Sequence, residues 1–290
     1  MPRHFLNVDD FSPAETRALL DLAVELKAEH AAGGNRPRLA GRVLAMLFEK
    51  PSLRTRVSFE VAMVHLGGHA LNIRPDEVGL GTREPPEDVA RVLGGMSHCI
   101  MARVFEHTTL QKFADASPVP VVNGLSDASH PCQALADVLT LREHFGELAG
   151  RKVAYVGDGN NVAQSLMDVC RQLEMPFALA TPAGYELPGV PGTNDPAEAV
   201  AWADCIYTDT WTSMGQEEQK QQRLQDFAGF EVNAELLAKA KRDAVVLHCL
   251  PAYRGYEISA EVLEHPRSLV FLQAHNRLHA QKALLATLLA

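Results

Sequence analysis

The chain has 290 residues, of which 47% are hydrophobic, and its 36 acidic against 27 basic side chains leave a formal charge of -9. At about 100–200 residues per domain that length predicts two domains, and the acidic balance speaks against binding to phosphate backbones, so no nucleic-acid partner is expected. No apolar run of about 18 residues occurs and no basic-then-apolar leader precedes Asp9, so no membrane partner is expected and the expected localisation is cytoplasmic.

Ser12-Pro13-Ala14-Glu15 predicts a helix start, with a capping hydroxyl, Pro in the first turn and Glu to complete a capping box. Residues 42–48 (RVLAMLF) read as a short buried strand, and after Glu49-Lys50-Pro51-Ser52 a helical period runs through Phe59, Ala62 and Leu66 to Gly67-Gly68. Strand, loop and helix then recur: strands near 70–73, 99–104 and 120–122, helices near 87–96 and 110–116. After a long helix at 131–145 the same grammar returns, with strands at 152–156, 177–180, 206–209 and 244–249 and helices at 161–173 and 196–203. This alternation predicts an α/β fold of two domains, each a parallel sheet flanked by helices. The polar, Gln-rich stretch 210–230 is long for a βα connection and reads as a candidate lid, while 277–289 reads as a helix with one apolar face. Cys99, Cys132, Cys170, Cys205 and Cys249 form an odd set without a C-x-x-C pair, so reduced thiols are expected rather than disulfides or a structural zinc site.

The densest cationic segment, Lys50-Pro51-Ser52-Leu53-Arg54-Thr55-Arg56, stands where a strand ends and a helix begins. Hydroxyls, guanidinium groups and free helix N–H groups there suit an oxyanion; the plain alternative is a solvated basic turn. Gly157-Asp158-Gly159-Asn160-Asn161 invites a dinucleotide-binding reading, but Val162 stands where the third glycine belongs, and no acid follows about 20 residues on. A turn that binds a substrate carboxylate is the alternative. His130-Pro131-Cys132-Gln133, His248-Cys249-Leu250-Pro251 and Asp209 all fall at strand ends or beside loops, where open α/β sheets bind ligands; taken alone, each His or Cys is more often a packed core residue.

Together these segments resemble the aspartate/ornithine carbamoyltransferase family over nearly the whole chain. Residues 48–56 (FEKPSLRTR) resemble its F-x-K-P-S-x-R-T-R carbamoyl phosphate motif, and His130-Pro131-Cys132-Gln133 its H-P-x-Q. Residues 209–215 (DTWTSMG) resemble D-x-x-x-S-M-G and His248-Cys249-Leu250-Pro251 resembles H-C-L-P, both features of the ornithine branch, as is the ending 276–282 (NRLHAQK). The resemblance implies transfer of a carbamoyl group from carbamoyl phosphate to the δ-amine of L-ornithine, giving L-citrulline and phosphate, a step of arginine biosynthesis. It implies that Ser52, Leu53, Arg54 and Thr55 hold the phosphate, that Arg103, His130 and Gln133 hold and polarise the carbamoyl group, and that Arg277 closes the site. Cys249 and Leu250 would lie at the reacting centre, and Asn161, Asp209, Ser213 and Met214 would hold ornithine; Arg103, His130, Asp209 and Cys249 are the expected catalytic set.

No metal and no organic cofactor is implied, because the leaving group is already activated. A homotrimer or a multiple of one is implied as the assembly. The expected domains are a carbamoyl phosphate-binding domain at 1–129, with helix 276–290 packing back on it, and an ornithine-binding domain at 130–275. Two positions depart from the family's ornithine members: Gly79 stands where they carry a Gln that reaches a neighbouring subunit, and His275 where they carry an acid. Rival readings are a carbamoyltransferase for putrescine or N-acetylornithine, a nicotinamide-dependent oxidoreductase using 157–162, and a non-catalytic binding relative.

Overall fold

The computed structural model describes residues 2–212 and 217–289. It divides into two compact units, Met1–Leu139 with His275–Ala290, and Thr140–Ala274.

The first unit runs through α1 (Pro13–Ala31), β1 (Val43–Phe48), α2 (Leu53–His65), β2 (His69–Ile73), α3 (Pro75–Val78), α4 (Pro86–Met96), β3 (Cys99–Arg103), α5 (His107–Ala116), β4 (Val121–Leu125) and the start of α6 (Pro131–Phe145). The expected cap is present: Ser12 Oγ accepts from the Glu15 amide, and the Glu15 carboxylate accepts from the Ser12 amide at 2.9 Å. The strands form one parallel sheet in the order β2-β1-β3-β4. β3 is buried throughout and β1 nearly so, which is why both read as unbroken apolar runs; β2 sits at the edge and is part exposed. The order reverses between β1 and β3, so their carboxyl ends flank the crevice where such sheets take ligands. Those ends are tied: the Glu49 amide donates to the Arg103 carbonyl at 2.8 Å, and the Phe105 amide donates to the Glu49 carboxylate at 2.8 Å.

The second unit continues from α6 through β5 (Val153–Val156), α7 (Asn161–Gln172), β6 (Phe177–Ala180), α8 (Pro196–Val200), β7 (Cys205–Thr208), α9 (Lys220–Asp226), α10 (Ala234–Lys239), β8 (Val245–His248), α11 (Ala260–Leu263) and the start of α12 (Val270–Leu289). Its parallel sheet has the order β6-β5-β7-β8, reversing between β5 and β7. The expected α/β class, two parallel sheets flanked by helices, is therefore the fold. Two elements differ from their sequence reading. The last helix begins at Val270 rather than 277, because its polar residues Gln273 and Asn276 are accommodated fully buried and hydrogen-bonded. The stretch 210–230 contains α9, whose Arg223 is buried, as well as four residues outside the described ones. Asp204, just before β7, is 2% exposed and accepts from Lys241 Nζ at 2.8 Å, Arg151 Nη1 at 3.1 Å and the Lys152 amide at 2.9 Å.

Within the first unit the end of α12 packs on α1 through polar groups. Lys282, fully buried, donates to Asn35 Oδ1 at 2.8 Å and the Leu26 carbonyl at 3.2 Å. His30 stacks on His65 at 4.1 Å, and His279 lies 6.4 Å from His30. Burial, then the charges of Lys282 and Lys27, push His279 down to about 3. Its folded value lies below its unfolded one, so below about pH 6.5 the unfolded chain takes up the proton first and stability falls as pH falls. At pH 5.5 that costs about 1.4 kcal/mol for one such histidine, and the cost is nearly absent at pH 7.5. His279→Gln should reduce the loss of unfolding free energy between those two pH values by about that amount, measured by denaturant titration at fixed protomer concentration. An unchanged loss would clear His279 of the effect.

Candidate active site

In the first unit Ser52 caps α2: its Oγ accepts from the Thr55 amide and donates to Thr55 Oγ1 at 3.1 Å. Leu53 opens the helix with its side chain 75% exposed, so its contribution to a ligand there is its backbone N–H. Arg54 follows in the same turn, against the preference of helix N-termini for acids, a placement that an anion would justify. Arg103 ends β3 and is 6% exposed. His130, just before α6, and Gln133 in its first turn are both buried.

Arg277 of α12 gathers these groups. Nη1 donates to Gln133 Oε1 at 2.5 Å, Nη2 donates to Thr55 Oγ1 at 2.9 Å, and Nη1 lies 3.4 Å from His130 Nε2. Gln133 is held in turn by Asp137, one helical turn on, with Nε2 donating to Oδ1 at 2.8 Å. Burial, followed by the charges of Arg277, Arg103 and Arg54, holds His130 well below its usual value, so the imidazole is neutral at pH 7. A guanidinium has no acceptor, so the Arg277 contact assigns the lone pair to Nε2 and the proton to Nδ1. A cluster of three arginines around a neutral imidazole is suited to a small phosphate ester with a polarisable carbonyl.

In the second unit Asp209 follows β7 and is 5% exposed. Its Oδ1 accepts from the Cys249 thiol at 2.9 Å and from the Thr210 amide at 2.7 Å; its Oδ2 accepts from Asn160 Nδ2 at 3.1 Å. Asn160 is also the cap of α7, accepting on Oδ1 from the Val162 and Ala163 amides at 3.0 and 3.1 Å. Asn161 is the first residue of that helix, so of the two adjacent asparagines Asn160 is the one bonded to Asp209. Ser213 and Met214 lie outside the described residues. Arg223 fixes the neighbouring segment: Nη1 donates to Asp158 Oδ2 and to the Trp211 carbonyl, each at 2.8 Å. Burial raises the Asp158 carboxyl despite that guanidinium.

Gly159 explains itself without a nucleotide. A Cβ there would meet the Tyr185 carbonyl at 2.5 Å and the Leu187 amide at 2.6 Å, so the backbone of 185–187 occupies the space that close phosphate approach requires. Asp209, His248 and Cys249 bring three donor atoms within 4.8 Å of one another. Both ring nitrogens of His248 are committed outside the trio, Nδ1 to the Leu250 amide at 2.8 Å and Nε2 to Glu257 at 3.0 Å, so as placed the trio is not an open ligand set. Gly79, in the left-handed region at φ 64°, ends α3, and a Cβ would press on Arg83 Cβ at 2.9 Å; that turn calls for glycine.

Residues 3–143 match the domain family described as "Aspartate/ornithine carbamoyltransferase, carbamoyl-P binding domain", and residues 149–288 match "Aspartate/ornithine carbamoyltransferase, Asp/Orn binding domain". An ornithine carbamoyltransferase of Thermus thermophilus is 53% identical over 100% of this chain and 97% of its own length. The crystal structure of ornithine carbamoyltransferase from Thermus thermophilus superposes with a TM-score of 0.93 at 50% identity, covering 100% of both chains. That of Pyrococcus furiosus gives 0.94 at 47% identity, covering 98% of this chain and 96% of the other.

Proposed function

The chain belongs to the aspartate/ornithine carbamoyltransferase family, and we infer from that premise that it transfers the carbamoyl group of carbamoyl phosphate to the δ-amine of L-ornithine, releasing L-citrulline and phosphate. The observation that carries the acceptor is the Asp209 carboxylate, placed with Cys249 and Asn160 at the carboxyl end of β7, in the part of the chain that matches the Asp/Orn binding domain.

Carbamoyl phosphate belongs to the first unit. The α2 N-terminus with Ser52, Leu53, Arg54 and Thr55 takes the phosphate, and Arg103, His130, Gln133 and Arg277 take the carbamoyl end. Ornithine belongs to the second unit, on Asn161, Asp209, Ser213 and Met214, with Cys249 and Leu250 at the reacting centre. An amine of about pKa 10.4 is neutral in only about four molecules per ten thousand at pH 7, and only the neutral form attacks. The arginines gathered for the phosphate disfavour a further cation, and the Asp209–Cys249 pair accepts or relays the proton that the attacking nitrogen sheds. Attack on the carbamoyl carbon places negative charge on its oxygen, which Arg103 and the neutral imidazole of His130 stabilise; collapse then expels phosphate, which leaves with the C–O bonding pair. No metal or organic cofactor takes part in this scheme.

The assembly proposed is a homotrimer or a multiple of one. It is supported by exposed apolar side chains on the first unit, among them Leu53, Val57 and Val64 on α2 and Leu71 on β2. Among the described residues no helix is long and apolar enough to cross a membrane, and the proposed compartment is the cytoplasm.

Carbamoyl phosphate supplied in parallel with ornithine, putrescine, N-acetylornithine or aspartate should release phosphate rapidly with ornithine alone, with citrulline formed in equal amount. Release with putrescine but not ornithine would overturn the acceptor, and failure to release phosphate with any of the four amines would favour a binding protein. Sedimentation of the same preparation should give a mass that is a multiple of three chains.

A further inference from the structure

His248 ends β8, is fully buried, and none of the substrate roles above uses it. Its surroundings define its state. The Leu250 amide donates to Nδ1 at 2.8 Å, and a backbone N–H can only donate, so Nδ1 carries the lone pair and the ring proton sits on Nε2. From there it donates to Glu257 Oε1 at 3.0 Å, an oxygen that also receives the Tyr253 amide at 2.6 Å; Glu257 is 1% exposed. The backbone of His248 is held separately, its amide donating to Gln273 Oε1 at 2.9 Å. The imidazole is therefore not needed to anchor the strand end. What it does hold is the next turn, where Leu250 lies in the left-handed region at φ 58°. For a residue with a Cβ that conformation is unfavourable and persists only where its surroundings enforce it. Between the clamped ring and the clamped Leu250 amide stands Cys249, whose thiol points at Asp209.

We propose that His248 is a positioning residue for carbamoyl transfer: its Nε2–H tautomer, set by Glu257, holds the Leu250 amide in the left-handed turn and so aims the Cys249 thiol and the Leu250 peptide at the reacting centre. The proposal rests on the placement of Cys249 and Leu250 at that centre. It requires an acceptor at the position of Nδ1 above all else, and the link to Glu257 keeps the ring proton on Nε2 so that Nδ1 presents its lone pair to the Leu250 amide.

Two side chains separate these requirements. Asn places its amide oxygen near the position of Nδ1, and Gln places its amide near that of Nε2. His248→Asn should therefore keep kcat within about threefold of the parent, while His248→Gln and His248→Ala, which leave the Leu250 amide without its acceptor, should lose at least about tenfold in kcat. A purely structural role predicts instead that Asn and Gln fall together and that activity follows melting temperature; either result would overturn the proposal. Cys249→Ala is assayed alongside. If it keeps the full rate, the placement of the reacting centre is wrong; if it is impaired while His248→Asn and His248→Gln are equally active, the inference about His248 alone is wrong. Should the variants not fold, ¹⁵N shifts of the imidazole in the intact protein decide: an Nε2–H tautomer is expected, and an Nδ1–H tautomer would overturn the proposal.

Discussion

Arg277→Met is expected to lower kcat/KM for carbamoyl phosphate by about 10²–10³-fold, the scale of losing a preorganised donor to developing charge. Met fills much of the arginine's volume, so the loss measures polar function more than packing. The guanidinium is 2% exposed and reaches Gln133, Thr55 and His130 at once, so its removal releases three buried acceptors in addition to removing a cation. Arg277→Lys should rescue little, because an ammonium is a point donor that cannot span Gln133 and Thr55 in the plane a guanidinium provides. A second readout follows from electrostatics. Burial is the first cause of the depressed His130 value and Arg277 the second, so in the Met variant His130 takes up a proton at higher pH and the acid limb of the rate profile moves up. Calorimetric binding of carbamoyl phosphate checks the affinity. Unchanged turnover would remove Arg277 from the carbamoyl end of the site.

The residues that read correctly from sequence are those whose meaning is local. β1 and β3 announce themselves because burial on both faces demands apolar side chains in sequence, and Ser12 to Glu15 forms its cap within four residues. The strand end and helix start within 48–56 are local for the same reason, since Ser52 caps the helix that opens at Leu53. The supporting groups are different. Arg223 sits in a Gln-rich stretch that looks like solvent-facing loop, and its partner Asp158 is 65 residues away; only tertiary packing makes the pair visible. Gln273 lies ahead of the helix legible at 277–289, yet it is buried inside that helix because His248 and Tyr207 satisfy both ends of its amide. Asp137 offered the one usable signal, its i,i+4 spacing from Gln133 on a predicted helix. Asn160 and Asn161 are neighbours whose roles depend on which becomes the cap, and the capping geometry that decides this is set by the turn after β5.

Asp209→Asn is expected to reduce kcat/KM for ornithine by about 10²–10³-fold and to leave carbamoyl phosphate affinity within about twofold of the parent. The carboxylate accepts three hydrogen bonds, from Cys249, Thr210 and Asn160, and has no donor of its own. An amide in its place must turn an NH₂ either toward Asn160, meeting another NH₂, or toward the Cys249 thiol and the Thr210 amide. Either orientation breaks the constellation, and in both the negative charge that would attract a cationic amine and receive its proton is lost. Asp209→Glu tests the two effects apart, because it keeps the charge while displacing it by one methylene; it should bind ornithine better than the Asn variant yet turn it over slowly, since proton transfer depends on reach. The informative control is carbamoyl phosphate. Cys249, bonded to Asp209, is proposed at the reacting centre with Leu250, so a large fall in its affinity on Asp209→Asn would mean that the carboxylate works through the thiol to hold the donor substrate, and the allocation of the two substrates to the two units would have to be redrawn.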